Sequence, residues 1–290
     1  MTTPSLYKPR APLRPSPLSA PPAGPRAREE LRAAAIQDLL EPFLFDDAQL
    51  VEAVCDELRD PVSRPRIVEF GCGIGGLTVP VLATRPDTVY HGFDDSEARV
   101  AVVTTKLSRR GHQRGATFTA PVALDRRAIG EALQGLRADF LLLPRFLQTV
   151  PLCAAEGRGL HRVAFLSLCQ QLVKPGGRIL IIEEVFGESA DEHAQLSAAR
   201  RDGFRARLVA DLERVVTVLR GLDPDLARRV ARLPGAPSLL GELRDRIQPP
   251  GVAQVLPLTA WQRMFEHLGF TYRTVQHPTQ KQLFLFTVRC

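Results

Sequence analysis

The sequence lacks a long apolar run. A membrane-spanning helix needs about 20 consecutive apolar residues, whereas the strongest run here, within Arg178–Ile182, has the length of one buried strand. This absence argues against a membrane protein. Apolar residues nevertheless make up 44% of the 290 residues and charged residues 24%, so the chain can bury a core as ordinary globular proteins do. Its length suits one domain of about 200 residues with an added subdomain or tail.

Cysteine is scarce, and no two cysteines form a C-x-x-C pair. The five cysteines are Cys55, Cys72, Cys153, Cys169 and Cys290. Their odd number and their spacing match neither a disulfide framework nor a zinc site, so we expect no metal ion. Because the N-terminus shows no hydrophobic signal segment, we also expect the protein in the reducing cytoplasm.

Acidic residues are missing from the first 28 positions. Five basic residues lie there, so all but one unit of the formal net charge of +6 belongs to this tail. Residues 1–25 also contain eight prolines, which block helix and sheet hydrogen bonding and predict a disordered or polyproline-like segment. The tail is either inert or a docking or targeting segment. Since the basic charge is concentrated in it, we expect no nucleic-acid partner.

Helix and strand patterns divide the rest of the chain. Apolar residues recur at helical spacing in Arg28–Leu44 and Asp46–Leu58. Strand and helix patterns then alternate, which predicts a parallel sheet covered by helices on both faces. Over 186–251 only helical spacing continues, which predicts a helical insertion. Two last strands, Phe270–Gln276 and Gln282–Val288, are predicted to form a hairpin.

The most informative segment runs from Arg66 to Gly76 and reads R-I-V-E-F-G-C-G-I-G-G. A hydrophobic strand leads into four glycines and then into a helix. Glycines let the backbone approach a ligand closely, and a helix N-terminus offers unpaired amide donors. The pattern alone is ambiguous, because Gly71, Gly73 and Gly76 also match the dinucleotide fingerprint.

Three further features narrow this ambiguity. Glu69, at the end of the strand, would repel a pyrophosphate but suits a ligand with a positive amino group. Asp94 ends the second strand, where an acid can accept the ribose hydroxyls of a nucleoside. The sequence L-V-K-P-G-G around Lys174 predicts a turn that leads from a helix into the fifth strand.

Together, E-F-G-C-G-x-G, G-F-D-D-S and L-V-K-P-G-G resemble the class I S-adenosylmethionine-dependent methyltransferases, over about residues 60–185 and 255–290. The resemblance implies the cofactor S-adenosylmethionine and an α/β fold, a Rossmann-like doubly wound seven-stranded sheet whose last strand is antiparallel. We therefore expect a Pro-rich tail, N-terminal helices, a methyltransferase core in two pieces and a helical lid insertion. Their ranges are 1–25, 26–60, 61–185 with 252–290, and 186–251.

The resemblance also assigns roles to single residues. In that family the glycine loop binds the methionine part of the cofactor, which implies this role for Gly71, Gly73 and Gly75. Glu69 matches the acid that orients the cofactor's amino group, and Asp94 matches the acid that binds the ribose.

The adenine end of the site departs from the family pattern. Asp95 stands where an aliphatic residue usually contacts adenine, so its carboxylate either hydrogen-bonds the nucleoside or points to solvent. No acid follows the third strand, and we expect the backbone of Ala120 and Val122 to contact adenine instead. Pro144 and Arg145, after the fourth strand, should flank the methionine sulfur and the entry to the acceptor cavity.

The acceptor is expected to be a small molecule, as in natural-product pathways. The Asp/Asn-Pro-Pro-aromatic motif of base amino-methyltransferases is absent, since Leu143–Phe146 reads L-P-R-F. The insertion resembles the lids of small-molecule methyltransferases, with a dimerisation surface as the alternative, so we expect a monomer or homodimer. His193 is the candidate general base, and Arg145 and Gln148 are candidates for orienting a polar or anionic acceptor.

Two other classes of function stay open from the sequence. A nicotinamide-dependent oxidoreductase would use Gly71, Gly73 and Gly76, although Glu69 and the turn at Lys174 weigh against it. A non-catalytic binding or scaffold protein of the same fold is the other class, and the intact glycine loop argues against it.

Overall fold

The computed structural model describes most of the chain. The described residues are 24–44, 48–59, 62–111, 115–119, 135, 137–150, 161–186, 190–233, 243, 255–277 and 283–289. Residues 1–23 of the predicted tail, parts of the insertion, Ala120 and Val122 lie outside these ranges, while Pro25, predicted as the end of the tail, begins the first helix.

The strands form one sheet, and the candidate site lies at the carboxyl edge of that sheet. Their bounds are β1 Arg66–Phe70, β2 Val89–Phe93, β3 Ala116–Thr119, β4 Ala138–Pro144, β5 Val173–Phe186, β6 Leu256–Pro257, β7 Thr271–Gln276 and β8 Leu283–Arg289. The parallel strands follow the order β3-β2-β1-β4-β5, and β6 pairs in parallel with the end of β5. Strand β8 is antiparallel to β5 and to β7, so β7 runs in the same direction as β5. The predicted Rossmann-like sheet, with the last strand of the chain antiparallel, is confirmed.

The helices cover both faces of this sheet. Their bounds are α1 Pro25–Leu44, α2 Ala48–Glu57, α3 Thr78–Thr84, α4 Glu97–Arg109, α5 Arg162–Leu172, α6 Ala190–Ala210, α7 Leu212–Leu222, α8 Pro224–Val230 and α9 Leu258–His267. In the described part of the chain, none of them is long and apolar enough to cross a membrane.

Strand β5 is longer than the sequence pattern predicts. Its pairing with β4 begins at Val173, and a register shift accommodates the Lys174–Gly177 segment that follows. Gly176 there has a φ of 78°, and Lys174 Nζ donates to Asp139 Oδ1 of β4 at 2.6 Å. The residues predicted as a turn therefore form a bulge within the strand, because Val173 before them and Arg178 after them both pair with β4.

Two apolar cores lie on opposite faces of the sheet, because side chains alternate along each strand. On one face, Phe70 of β1 packs with Phe165 of α5 and Phe265 of α9 in a single cluster. On the other face, Ile67 belongs to a cluster with Leu58 and with residues of α2, α3 and α4.

A third apolar core joins α1 to the helices of the insertion. Ile36 and Leu40 of α1 cluster with Phe204 and Leu208 of α6 and with Leu219 of α7. Helix α1 also packs against α4 of the sheet domain. We call α1 together with α6, α7 and α8 the helical layer. The two N-terminal helices thus belong to different cores, since α2 packs on the sheet.

Candidate functional site

The glycine loop after β1 lies at the carboxyl edge of the sheet. The amides of Gly71 and Cys72 both donate to the carbonyl of Phe93, at 2.8 and 3.0 Å, so the loop is tied to the end of β2. Gly71, Gly73 and Gly75 have φ values of 75°, 52° and 87°. Glycine adopts this left-handed conformation without a steric cost.

The three loop glycines with positive φ face different surroundings. A Cβ on Gly71 would lie 2.8 Å from Phe146 Cδ2, and one on Gly75 would lie 2.6 Å from Val103 Cγ2, so close packing accounts for these two. Among the described residues, a Cβ on Gly73 would meet one atom within 4 Å, the carbonyl oxygen of Gly71 at 3.9 Å. Gly73 is therefore the position at which a ligand can approach the loop backbone.

Glu69 is fully buried between β1, β2 and α3. Its Oε2 accepts hydrogen bonds from Thr78 Oγ1, at 2.5 Å, and from the Tyr90 hydroxyl. Its Oε1 is equally buried and has no hydrogen-bond partner in the part of the chain that the structure describes. Because a buried carboxylate oxygen without a donor is costly, Oε1 is the atom of this site best suited to an incoming cation.

Burial raises the pKa of the Glu69 carboxyl to about 7. The hydrogen bonds from Thr78 and Tyr90 lower it, whereas the nearby Asp94 raises it further. The carboxyl is therefore part protonated at neutral pH. A cation beside Oε1 would favour the ionised form, so binding there would release a proton.

Asp94 is buried at the end of β2, where it braces the glycine loop. Its Oδ2 accepts from the amide of Gly73 at 2.8 Å, and its Oδ1 accepts from the amide of Ser96 at 3.0 Å. Arg99 Nε lies 2.9 Å from the same Oδ1. A carboxylate has about four acceptor positions, so Oδ2 keeps one for a further donor. Accepting two ribose hydroxyls requires Arg99 to leave Oδ1.

Asp95 points to solvent, which is one of the two alternatives that the sequence leaves open. Its side chain is 78% exposed and forms an ion pair with Arg99, one turn further along α4. Arg99 thus bridges the buried Asp94 and the exposed Asp95.

The chain leaves β4 in a strained conformation beside the glycine loop. Arg145 has a φ of 52°, which is unfavourable for a residue with a side chain. Its amide donates to the carbonyl of Ile182 at 2.6 Å, which continues the pairing of β4 with β5 beyond Pro144. Phe146 follows and packs against Gly71. Pro144 and Arg145 therefore lie next to the loop.

Two buried charged residues hold the turn Leu147–Thr149 that follows. Glu183 of β5 accepts a hydrogen bond from the amide of Leu147 at 2.6 Å, at the start of the turn. Arg162 of α5 donates to the carbonyl of Val150 at 3.3 Å, just after its end. Strand β5 and helix α5 therefore fix both ends of the segment next to the glycine loop.

The same turn places a predicted acceptor contact in a buried position. Gln148 is only 6% exposed.

Burial raises the pKa of Glu183 to about 8, and the positive charge of Arg162 opposes this rise. The Arg162 guanidinium also lies 5.3 Å from the ring centre of Trp261. Loss of either side chain would leave a buried backbone group of the turn without its hydrogen-bond partner, so we expect both to be needed for the geometry of the turn.

Three of the predicted site residues are not brought to the site by the described structure. Ala120 and Val122 lie outside the described residues. His193 lies in α6, but its side chain is outside the described atoms, so its role stays a prediction. In the part of the chain that the structure describes, no group of three or more potential metal ligands occurs.

Sequence reasoning missed the partners of the two acids. Tyr90 could have been found from strand alternation. Glu69 and Ile67 lie two residues apart and therefore on the same face of β1, and Ile67 pairs with Tyr90 of β2. Arg99 could have been found from its spacing, since it follows Asp95 by one helical turn. Glu183 and Arg162 are far apart in sequence and carry no motif that joins them.

The fold is shared with known methyltransferases. No protein-family model and no curated protein matches the sequence. Among solved structures, the chain is similar to an O-methyltransferase family protein from Burkholderia thailandensis, with 13% identity and a TM-score of 0.52, over 91% of this chain and 59% of that one. It is also similar to a Nostoc punctiforme PCC 73102 protein assigned as an O-methyltransferase, with 15% identity and a TM-score of 0.53, over 89% and 60%.

A third similar structure is TnmH, with 18% identity and a TM-score of 0.50, over 84% of this chain and 55% of that one. At such identities the likeness shows the fold, which agrees with the resemblance inferred from the motifs. The chain spans 55% to 60% of the length of these three structures.

Proposed function

We propose that this protein is an S-adenosylmethionine-dependent methyltransferase that acts on a small-molecule acceptor. The observation that carries the proposal is the buried Oε1 of Glu69, which has no partner within the described residues and lies beside the glycine loop. The methionine part of the cofactor carries an ammonium group, which is a suitable charged donor for this oxygen.

The other residues of the site fit the same cofactor. Gly73 leaves its outer side open to the methionine part, and Asp94 Oδ2 keeps an acceptor position for a ribose hydroxyl. The backbone of Ala120 and Val122 would contact adenine. When bound, S-adenosylmethionine supplies an electrophilic methyl group on a sulfonium.

The remaining work of the protein is to align the acceptor and to exclude water. Pro144 and Arg145 would flank the methyl group, on a segment whose ends Glu183 and Arg162 hold. Arg145 and Gln148 would orient a polar or anionic acceptor. His193 would take up a proton where the acceptor's nucleophile begins protonated.

The helical layer is the part of the molecule that we propose as the lid over the acceptor. The insertion 186–251 follows β5 at the carboxyl edge, where ligands bind in open α/β folds. Its core is separate from the two cores of the sheet, and α1 contributes to it. We further propose a role in natural-product biosynthesis, in the cytoplasm, as a monomer or homodimer.

A nicotinamide-dependent oxidoreductase is the alternative that the glycine spacing suggests. Its pyrophosphate would have to approach a loop behind which Glu69 and Asp94 are both buried. Asp94 does not distinguish the two ligands, because it is paired with Arg99 and an acid at this place also binds the ribose of a dinucleotide. The buried Oε1 of Glu69, which has no partner within the described residues, attracts a cation and opposes an anion. The charges of the site therefore favour the methyltransferase.

A pair of ligands tests the proposal directly. S-adenosylhomocysteine carries the ammonium group, whereas 5′-methylthioadenosine has the same nucleoside and lacks it. Glu69→Gln should weaken S-adenosylhomocysteine binding by about tenfold or more and should leave 5′-methylthioadenosine binding unchanged. Asp94→Asn is the matched variant at the ribose position and should weaken both ligands. Equal losses for the two ligands in Glu69→Gln would contradict the assignment of Glu69.

A further inference from the structure

One lysine connects the glycine loop to the helical layer. Lys106 is one of only four lysines in the chain, against 34 arginines. It lies on α4, and its Nζ donates to the carbonyl oxygen of Ile74, in the glycine loop, at 2.8 Å. The same Nζ forms an ion pair with Asp38 of α1. A single ammonium group thus holds two elements that belong to different cores.

The loop needs to be held from outside because its own conformation is unusual. Ile74 lies between Gly73 and Gly75, which both have a positive φ. Asp94 holds the amide of Gly73, and Lys106 holds the carbonyl of the next residue. Hydrogen bonds from a charged donor are stronger than neutral ones. The two contacts together fix the part of the loop whose outer side is open to a ligand.

Asp38 belongs to the helical layer. It lies between Ile36 and Leu40, and both of these residues are buried in the core of that layer. The side chains of Lys106 and Asp38 are 27% and 35% exposed, so their ion pair is partly shielded from solvent. Such pairs are screened by salt less than fully exposed pairs are. Any displacement of α1 would therefore pull on the group that holds the loop.

We propose that Lys106 is a positioning residue that sets the glycine loop for cofactor binding, and that Asp38 makes this setting depend on the helical layer. The proposal rests on the proposed function for the identity of the ligand. Through the ion pair of Lys106 with Asp38, the helical layer, which is proposed as the lid over the acceptor, would also influence the affinity for the cofactor. Neither side chain needs to touch the cofactor.

The test compares three variants in the full-length protein. Lys106→Met removes the charge and keeps the aliphatic stem, and Asp38→Asn removes only the charge on α1. Glu30→Gln is the matched control, because Glu30 is a carboxylate on the same helix whose partner, Arg26, is 92% exposed. Two quantities are measured: the Kd of S-adenosylhomocysteine, and the hydrogen exchange rates of the Gly73 and Gly75 amides without ligand.

Lys106→Met should raise the Kd by about 10- to 150-fold, as expected for loss of a charged hydrogen bond. Asp38→Asn should raise it by about 2- to 5-fold, and Glu30→Gln should leave it unchanged. The loop amides should exchange faster in the first two variants alone. Lys106→Arg, which can still donate, should restore part of the affinity.

Loop exchange that is the same in Lys106→Met and in the wild type would overturn the proposal, and so would equal effects of Asp38→Asn and Glu30→Gln. The exchange measurement uses no ligand. A wild-type protein that does not bind S-adenosylhomocysteine, but whose loop exchange responds to Lys106→Met, would therefore contradict the proposed function while supporting the positioning role.

Discussion

The sheet domain and the helical layer are built in different ways. In the sheet domain each strand is paired with its neighbours, and helices cover both faces, so every element has contacts fixed by the sheet. The helical layer has no strand, and its core is formed by α1 from one end of the chain and α6, α7 and α8 from the insertion. Its arrangement therefore depends on packing between segments far apart in sequence.

This difference indicates that affinity for the cofactor and selectivity for the acceptor depend on different regions of the molecule. The residues proposed to bind the cofactor, Glu69, Gly73 and Asp94, belong to the sheet domain. The residues proposed to cover the acceptor belong to the layer. Because the layer contacts the sheet domain through α1 on α4, changes in the layer can reach the cofactor loop by a short path.

The largest expected effect is on stability, in a matched pair of core substitutions. Leu219 in the layer and Leu141 in β4 are both completely buried. Each Leu→Ala change should cost about 2–5 kcal/mol, because it removes packed methyl groups and leaves a cavity. Leu219→Ala should speed hydrogen exchange in α7 and α8 and leave β1 and β4 protected, whereas Leu141→Ala should speed exchange in all of them. Identical exchange patterns would show that the two regions unfold as one unit.

The next effect concerns the layer's proposed part in catalysis. If His193 is the general base, His193→Ala should lower turnover by about 10²-fold or more while leaving the Kd of S-adenosylhomocysteine unchanged. Turnover is measured by transfer of a labelled methyl group from S-adenosylmethionine to an acceptor that the wild type methylates and whose nucleophile is protonated at the assay pH. A fully active His193→Ala protein would show that the layer supplies no general base, and its proposed role would then be to align the acceptor.

A third prediction uses the raised pKa of Glu69. Its pKa of about 7 in the folded protein lies above the ordinary value of 4.5 for a glutamate. The stability that neutral Glu69 contributes is therefore complete below pH 4.5 and is lost as the pH rises through 7. The ligand-free wild type should therefore lose stability over this range relative to Glu69→Gln. Glu183 shifts in the same direction, and it is common to both proteins, so the difference isolates Glu69.

Ligand binding should show the opposite dependence on pH. An ammonium group beside Glu69 favours the ionised carboxylate, so affinity for S-adenosylhomocysteine should increase by up to about tenfold per pH unit as the pH rises towards 7. Calorimetry at pH 6.5 in two buffers of different ionisation enthalpy should detect a released proton for the wild type and none for Glu69→Gln. Proton release of equal size in both would assign it to another group.

The smallest expected effect is that of removing the tail. Deletion of residues 1–23 leaves α1 intact and should change the Kd of S-adenosylhomocysteine by less than about twofold, because such a segment has no apolar face to pack. Deletion of residues 1–44 also removes α1 and should expose the core of the layer. If the shorter deletion weakens binding as much as the longer one does, the tail takes part in the site.

Much of the sheet domain could be predicted from the sequence because its signals are local. The hydrophobic strand followed by glycines predicted β1 and its loop, and the position of Asp94 at the end of a second strand predicted its place in the site. Which of the two N-terminal helices packs against the insertion could not be predicted, because an apolar helix face has no local feature that specifies its partner. The occupation of Asp94 by Arg99 and the packing of Phe146 on Gly71 also depend on tertiary contacts.

The most direct test of the central claim is calorimetry of the wild-type protein with S-adenosylhomocysteine and with NADH on the same preparation. The buried Oε1 of Glu69, which has no partner within the described residues, predicts binding of the ligand that carries an ammonium group and no binding of the ligand that carries a pyrophosphate. Binding of S-adenosylhomocysteine with a micromolar Kd, about −8 kcal/mol, and no heat from NADH is the predicted result. Binding of NADH without binding of S-adenosylhomocysteine would contradict the account.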